Sequence, residues 1–386
     1  MKEAIWNLSA KATRRLLSVH KPFVRMARQR SRAAEQEQFR KDAQQVEREI
    51  AAVAAGRAPI IAGPWLSEVG YEVLYWLPFL RWFTDKYRIA PERLVAVSRG
   101  GVRDWYAGLA GRYVEIFDQM PASELAARNL ARQAHDESGG QKQSALGSLD
   151  EEILARARGS LGISDAHTLH PSLLFRLFRH VWFGNLPLDF FWTHTRYERR
   201  EMPAGAGDLP VGLPPKFIAA KFYSGTALPL TDEHRAIVRA LVARTAATMP
   251  VISLDADYGV DEHRDFDLTG IPNVTSARAW MTARDNLALQ SRLLDRASGF
   301  IGTCGGLAWR APFVGVPTTA VYADDQLLRV HLMIAKQAGA AAGAAEFTTL
   351  DLRALQRIGL SLEDSARIDS PPDTAQFGHP HRTQND

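Results

Sequence analysis

One cysteine, Cys304, is present in 386 residues. A lone thiol excludes an intramolecular disulfide framework and a cysteine-based zinc cluster, and it fits a reducing compartment. No apolar run reaches the roughly 18 residues of a membrane-spanning helix. The N-terminal apolar run is too short and too interrupted for a secretory signal, so none is expected. Acidic residues are scarce at the start, where Lys2, Lys11, Arg14, Arg15, Lys21, Arg25, Arg28, Arg30 and Arg32 stand against Glu3 alone. Over the whole chain the formal net charge is only +4. The positive charge is therefore an arm and not a domain-wide face, which argues against a nucleic-acid partner. With 46% hydrophobic and 23% charged residues, the composition excludes a fibrous or largely disordered chain and suffices for two globular cores.

The arm lacks glycine until Gly56 and mixes Trp6, Leu8, Leu16, Leu17, Phe23 and Val24 with its cations. It reads as helix, broken at Lys21-Pro22, with a second helix over about 31–55. Two readings stand. The arm lies on an anionic membrane surface through residues 1–32, giving a cytoplasmic protein held peripherally at the membrane. Otherwise it packs its apolar stripe on the next domain.

From residue 58, short apolar runs alternate with helical segments. Strands are expected at Pro59–Ala62, Leu94–Ser98 and Tyr113–Phe117, and helices over Glu72–Lys86, about 121–162, and Pro171–Phe183. After Pro/Gly-rich residues 203–215 the alternation restarts, with strands at Phe217–Phe222, Val251–Leu254, Asn273–Ser276, Gly299–Gly302 and Thr318–Tyr322. Helices are expected over Asp232–Thr248, capped by Thr231, and over Thr282–Ala297. Alternation of this kind predicts parallel sheets built from βαβ units. The expected division is a basic extension (1–57), a Rossmann-like domain with a helical insertion (58–202), a linker (203–215), a second Rossmann-like domain (216–370) and a disordered tail (371–386). The aromatic group Trp182, Phe183, Phe190, Phe191 and Trp192 reads as packing between the halves.

The most informative segment is Gly299-Phe300-Ile301-Gly302-Thr303-Cys304-Gly305-Gly306-Leu307-Ala308-Trp309, followed by Pro312, Gly315 and Pro317. A strand ends in a glycine turn and a short helix begins at once. Glycine lets backbone approach a ligand closely, and the first amides of a helix favour phosphate. The order of strand, glycine loop, short helix, Gly-x-Pro and strand resembles the donor half of GT-B glycosyltransferases. The segments Gly63–Trp82 and Phe300–Pro317 are similar to bacterial enzymes of surface-polysaccharide assembly. The resemblance implies an α/β fold of two Rossmann-like domains facing each other across a cleft. It implies a nucleotide-diphosphate sugar as substrate, no separate cofactor or metal, and a glycan or glycolipid acceptor. Thr303, Cys304, Gly305 and Gly306 would then hold the donor.

Lys221 and Ser224, closing the first strand of the second half, could neutralise and hydrogen-bond a diphosphate. Asp255, Asp257 and His263 follow the next strand. Asp255-Ala256-Asp257 formally matches a metal-binding D-x-D pattern, but its place in a second Rossmann-like half favours a ribose or base contact, or a loop cap. Arg278 and Arg284 could reach phosphate or sit on a solvated face. Cys304 stands where a helix start would lower a thiol pKa. No cysteine–histidine partner motif accompanies it, so a small residue in a crowded loop is the preferred reading.

In the first half, Gly63-Pro64-Trp65-Leu66-Ser67-Glu68-Val69-Gly70-Tyr71-Glu72 leads into a helix apolar almost all round, with Pro78 inside it. A carboxylate at the mouth of such an element is costly unless used or paired, and desolvation raises its pKa toward a general-base range. In an inverting transfer one carboxylate takes the acceptor's proton. Glu68 is the first candidate and Glu72 the second. Trp65, Tyr71, Arg99 and Arg103 are candidate acceptor contacts, and Trp105 and Tyr106 either stack on sugars or belong to the core. Two other functions share the plan, a sugar-nucleotide epimerase and a non-catalytic glycan-binding scaffold.

Overall fold

The computed structural model describes residues 34–135, 143–200, 209–256, 258 and 263–357. The basic arm 1–32, Asp257 and the expected disordered tail lie outside them. The chain separates into two compact units, Met1–Tyr197 and Glu198–Asp386.

Unit 1 contains four parallel strands, β1 (Ile60–Ala62), β2 (Leu94–Ser98), β3 (Arg112–Glu115) and β4 (His167–Leu169), in the order β3-β2-β1-β4. Every residue of β1 and β2 is buried, which explains their unbroken apolar runs. Gly63, just past β1, has φ +130°. A Cβ there would lie 2.4 Å from the Val97 carbonyl oxygen. Glycine thus lets the chain leave β1 against β2, with Gly63 N–H donating to Leu169 O and Trp65 N–H to Val97 O (3.0 Å each).

The helix spanning 34–54 belongs to this unit. Ala43, Val46 and Ile50 are buried, and Arg176 makes a two-pronged ion pair with Glu49 at 2.6 and 2.8 Å. Arg93 donates to the carbonyls of Ala54, Ala55 and Ala58 near its end. The expected aromatic packing between halves is corrected: Phe191 packs within unit 1 on Tyr75 and Phe178, Trp182 packs on Tyr71 and Tyr75, and Phe183 is mostly exposed.

The apolar helix after β1 is not one regular element. A short α turn (Val69–Tyr71) passes into a π turn (Glu72–Trp76) and then an α-helix (Leu77–Tyr87). Leu77 N–H reaches back five residues to Glu72 O. Pro78 has no N–H for the carbonyl one turn back, and Leu74 O instead accepts the Tyr197 hydroxyl. The widened turn falls just before Pro78, and Glu72 within it is buried.

Unit 2 contains six parallel strands, β5 (Ile218–Lys221), β6 (Val251–Ser253), β7 (Val274–Ser276), β8 (Gly299–Thr303), β9 (Thr318–Tyr322) and β10 (Phe347–Asp351). Their order, β10-β9-β8-β5-β6-β7, is the doubly wound 6-5-4-1-2-3 arrangement. Val238, Val242 and Ala246 of the Asp232–Thr248 helix pack with Ala220, Val251, Ile301 and Val321 of the sheet. Thr231 caps that helix as expected, accepting from His234 N–H. Each sheet reverses its strand order beside its first strand, between β1 and β4 and between β5 and β8. In open α/β sheets such a switch point is where ligands bind, at the carboxyl ends of the strands.

Removing the Tyr197 hydroxyl should strand the Leu74 carbonyl. Tyr197→Phe is expected to cost about 1–3 kcal/mol in urea unfolding, whereas a loss below about 0.5 kcal/mol would mean that the π turn does not depend on this donor.

Candidate active site

Glu72 is completely buried at the carboxyl edge of the unit 1 sheet. Its Oε1 accepts from Ser98 Oγ at 2.7 Å and from the Tyr106 hydroxyl at 2.5 Å. Its Oε2 is buried without a hydrogen-bond partner. Burial pushes its pKa up to about 7, although Arg99, Tyr106 and Ser98 oppose the rise. A purely structural buried carboxylate is expected to satisfy both oxygens, and Glu72 satisfies only Oε1.

Glu68, ranked first from the sequence, is half-buried at the entrance of the α turn. Its carbonyl accepts Glu72 N–H at 3.2 Å and Trp65 Nε1–H at 3.3 Å. The desolvated setting expected for Glu68 belongs to Glu72, one turn later.

Two candidate acceptor contacts are structural. Trp65 is fully buried and stacks on Trp76 and Phe175. Arg99 is buried and donates to the carbonyls of Trp65 and Ser67, both at 2.9 Å. It clamps the loop after β1. Tyr71 is partly covered by Tyr75, Phe175 and Trp182, and burial raises its pKa. Arg103 is exposed.

The glycine pair after β2 has a partner the sequence did not reveal. Gly100 and Gly101, both at φ +79°, donate their N–H groups to Glu115 at 3.0 and 2.7 Å. Glu115 also accepts from Tyr113 and from Phe117 N–H. An anion nest is thus filled by the protein's own carboxylate. Gln143 completes the bracing by accepting from Leu66 and Ser67 N–H and donating to Pro64 O and to buried Asp150.

In unit 2 Lys221, Ser224, Thr303, Cys304, Gly305 and Gly306 close or follow β5 and β8, whereas Asp255 follows β6, and several of them are committed. Lys221 Nζ pairs with Asp265 at 2.8 Å, and Asp265 also accepts Ala256 N–H. Lys221 is therefore already neutralised. Thr303 Oγ1 accepts from Tyr223 N–H and donates to Tyr223 O, both at 2.9 Å, locking the ends of β5 and β8 together. Ser224 joins its loop to Arg264 through its N–H and its Oγ. Asp255 accepts from Ser276 Oγ at 2.8 Å and pairs with Arg278 at 3.2 Å. His263 packs edge-on against Tyr223 at 4.8 Å.

Cys304 donates its N–H to Val321 O, its side chain is buried, and burial pushes its thiol pKa well up. Neither its amide nor its thiol is offered to a donor, which corrects its place among the donor contacts and matches the small-residue reading.

Gly305, at φ +134°, and Gly306 open the short helix Gly306–Arg310. A Cβ on Gly305 would come within 2.5 Å of the Tyr223 hydroxyl, and one on Gly306 within 3.2 Å. The room left by these glycines is therefore used by Tyr223, a residue that sequence reasoning passed over. The helix is anchored by the buried Arg310–Asp295 pair. Among the described residues no group of three or more His, Cys, Asp or Glu side chains could hold a metal ion, and no helix is long and apolar enough to cross a membrane.

No protein-family model and no curated protein matches the sequence. Similar solved structures include E. coli heptosyltransferase WaaC with ADP, at 15% identity and TM-score 0.38 over 78% of this chain and 98% of that one. A glycosyl transferase family 9 protein from Veillonella parvula is 10% identical, with TM-score 0.42 over 80% of this chain and 91% of that one. The UDP-GlcNAc 2-epimerase of Methanocaldococcus jannaschii is 11% identical, with TM-score 0.30 over 81% and 98%. At these levels of similarity, residue roles rest on the geometry of this chain.

Two measurements check this picture. Cys304 should resist a thiol reagent in the native protein and react fully on unfolding, and rapid native labelling would contradict its burial. Glu72 binds its proton more tightly when folded than when unfolded, so its contribution to stability falls as pH rises from about 4.5 to about 7. Glu72→Gln should flatten that part of the stability–pH curve by roughly 3 kcal/mol, and curves that run parallel over this window would show the shift to be absent.

Proposed function

We propose that this chain is a glycosyltransferase that moves a sugar from a nucleoside-diphosphate donor to a hydroxyl of a glycan or glycolipid, with Glu72 as the general base. The single observation that carries the reading is Glu72 Oε2, a buried carboxylate oxygen with no partner. Its pKa of about 7 suits a base working near neutrality. Glu72 has no exposed surface in this structure, so the reacting hydroxyl reaches it through a local opening of unit 1. The donor binds at the carboxyl ends of β5 and β8, the position that a doubly wound sheet offers to a nucleotide. The Tyr223 hydroxyl, above Gly305 and Gly306, and the nearby His263 are the polar groups it would meet there. Cytoplasmic placement, with the basic arm on an anionic membrane surface, belongs to the same proposal.

The test is a thermal-shift screen against nucleoside diphosphates, then product analysis with the stabilising nucleotide's sugars, with and without an acceptor. Transfer to an acceptor supports the proposal, and a sugar isomerised without one would make the protein an epimerase. Glu72→Gln should lower transfer by about 10²–10⁴-fold, whereas Glu68→Gln should stay within about tenfold of the parent. The reverse ranking would restore Glu68 as the base.

A further inference from the structure

The hydrogen bonds at Glu72 are distributed unevenly. Both donors converge on Oε1, Ser98 from the end of β2 and Tyr106 from the 3₁₀ turn Val102–Tyr106. Tyr106 is almost fully buried, and burial together with the adjacent Glu72 raises its own pKa well above the ordinary tyrosine value. It therefore remains a hydroxyl, and a donor, wherever Glu72 titrates. The turn that carries it starts just after Gly100 and Gly101, whose amides are fixed by Glu115. Glu115 thus holds the start of the turn that presents the Tyr106 hydroxyl, through contacts in which Glu72 takes no part.

We propose that Tyr106 and Ser98 are positioning residues that hold Glu72 by Oε1 and so reserve Oε2 as the oxygen that receives the acceptor's proton. This rests on the reading of Glu72 as the base. In the transfer step the acceptor O–H bond breaks and its proton bonds to Oε2. The acceptor oxygen forms a bond to the anomeric carbon. The bond from that carbon to the diphosphate oxygen breaks, and its electron pair leaves with the nucleoside diphosphate. Oε1 then becomes the carbonyl oxygen of a neutral acid and keeps both hydrogen bonds, so the proton arrives without rearrangement of the clamp. After the product leaves, Oε2 returns the proton to water. The other groups that act on Glu72 are Arg99 after β2, which favours its charged form, Glu115 of β3, which opposes it, and the Tyr113 hydroxyl of β3.

The experiment is a ¹³C NMR titration of the full chain labelled at glutamate carboxyl carbons, with the Glu72 signal assigned by its loss in Glu72→Gln. Tyr106→Phe removes a donor to the charged form, so the Glu72 midpoint should rise by about one pH unit, a tenfold gain in proton affinity. Ser98→Ala should move it in the same direction, and Ser98→Thr, which keeps a hydroxyl, should restore it. The acidic limb of the kcat/KM profile should move with the midpoint. An unmoved midpoint in a folded Tyr106→Phe protein overturns the clamp. Should that variant not fold, the Ser98→Ala and Ser98→Thr pair decides in the same way. A midpoint that moves while the pH–rate limb stays fixed, or while no transfer occurs, overturns the assignment of Glu72 as base and the role given to Oε2 with it.

Discussion

A carboxylate sealed beneath an apolar helix is the constraint around which unit 1 is arranged. Burying Glu72 is expensive unless its oxygens are satisfied. Its Oε1 receives two hydroxyl donors, and the rest of the neighbourhood holds those donors in place. Arg99 ties down the loop after β1 through two carbonyls, and Glu115 fills the nest at Gly100 and Gly101. The π turn aims Glu72 inward, and Tyr197 supplies a donor near Pro78. These interactions satisfy Oε1 of Glu72 and leave its Oε2 without a partner.

Unit 2 follows the same logic with different chemistry. The switch point of its six-stranded doubly wound sheet lies between β5 and β8, and Lys221 and Thr303 there are paired within the protein. Lys221 is held by Asp265, and Thr303 cross-links the ends of β5 and β8. Glycine at 305 and 306 makes space for the Tyr223 ring. A nucleotide entering here would meet a phenol and backbone, not an unpaired lysine.

Much of the fold was legible because parallel strands buried on both faces read as continuous apolar runs, as in Ile60–Ala62 and Leu94–Ser98. The strands β4 and β10 escaped notice for the opposite reason. His167-Thr168-Leu169 is three residues long, and Phe347–Asp351 is a half-exposed edge carrying two threonines. At the candidate site, the segment around Glu68 and Glu72 was visible as acid beside an apolar helix. Which of the two was desolvated was not, because a π turn changes the direction of a side chain without changing the pattern of residue types. Arg99, Lys221 and the Gly305-Gly306 pair were read as ligand contacts, since sequence shows the donor but not the partner folded against it. The carbonyls of Trp65 and Ser67, which hold Arg99, and Asp265, which holds Lys221, lie 32 to 44 residues away along the chain. Tyr223 offered one faint signal: it follows the first strand of unit 2 directly, where a switch-point loop must begin.

The most direct test of Glu72 as the working base is a crystal structure of the chain with a nucleoside diphosphate and an acceptor that cannot react. The acceptor hydroxyl should lie within about 3.2 Å of Glu72 Oε2, with Ser98 and Tyr106 still on Oε1. An acceptor hydroxyl seated on Glu68, with Glu72 still sealed from it, would contradict the account.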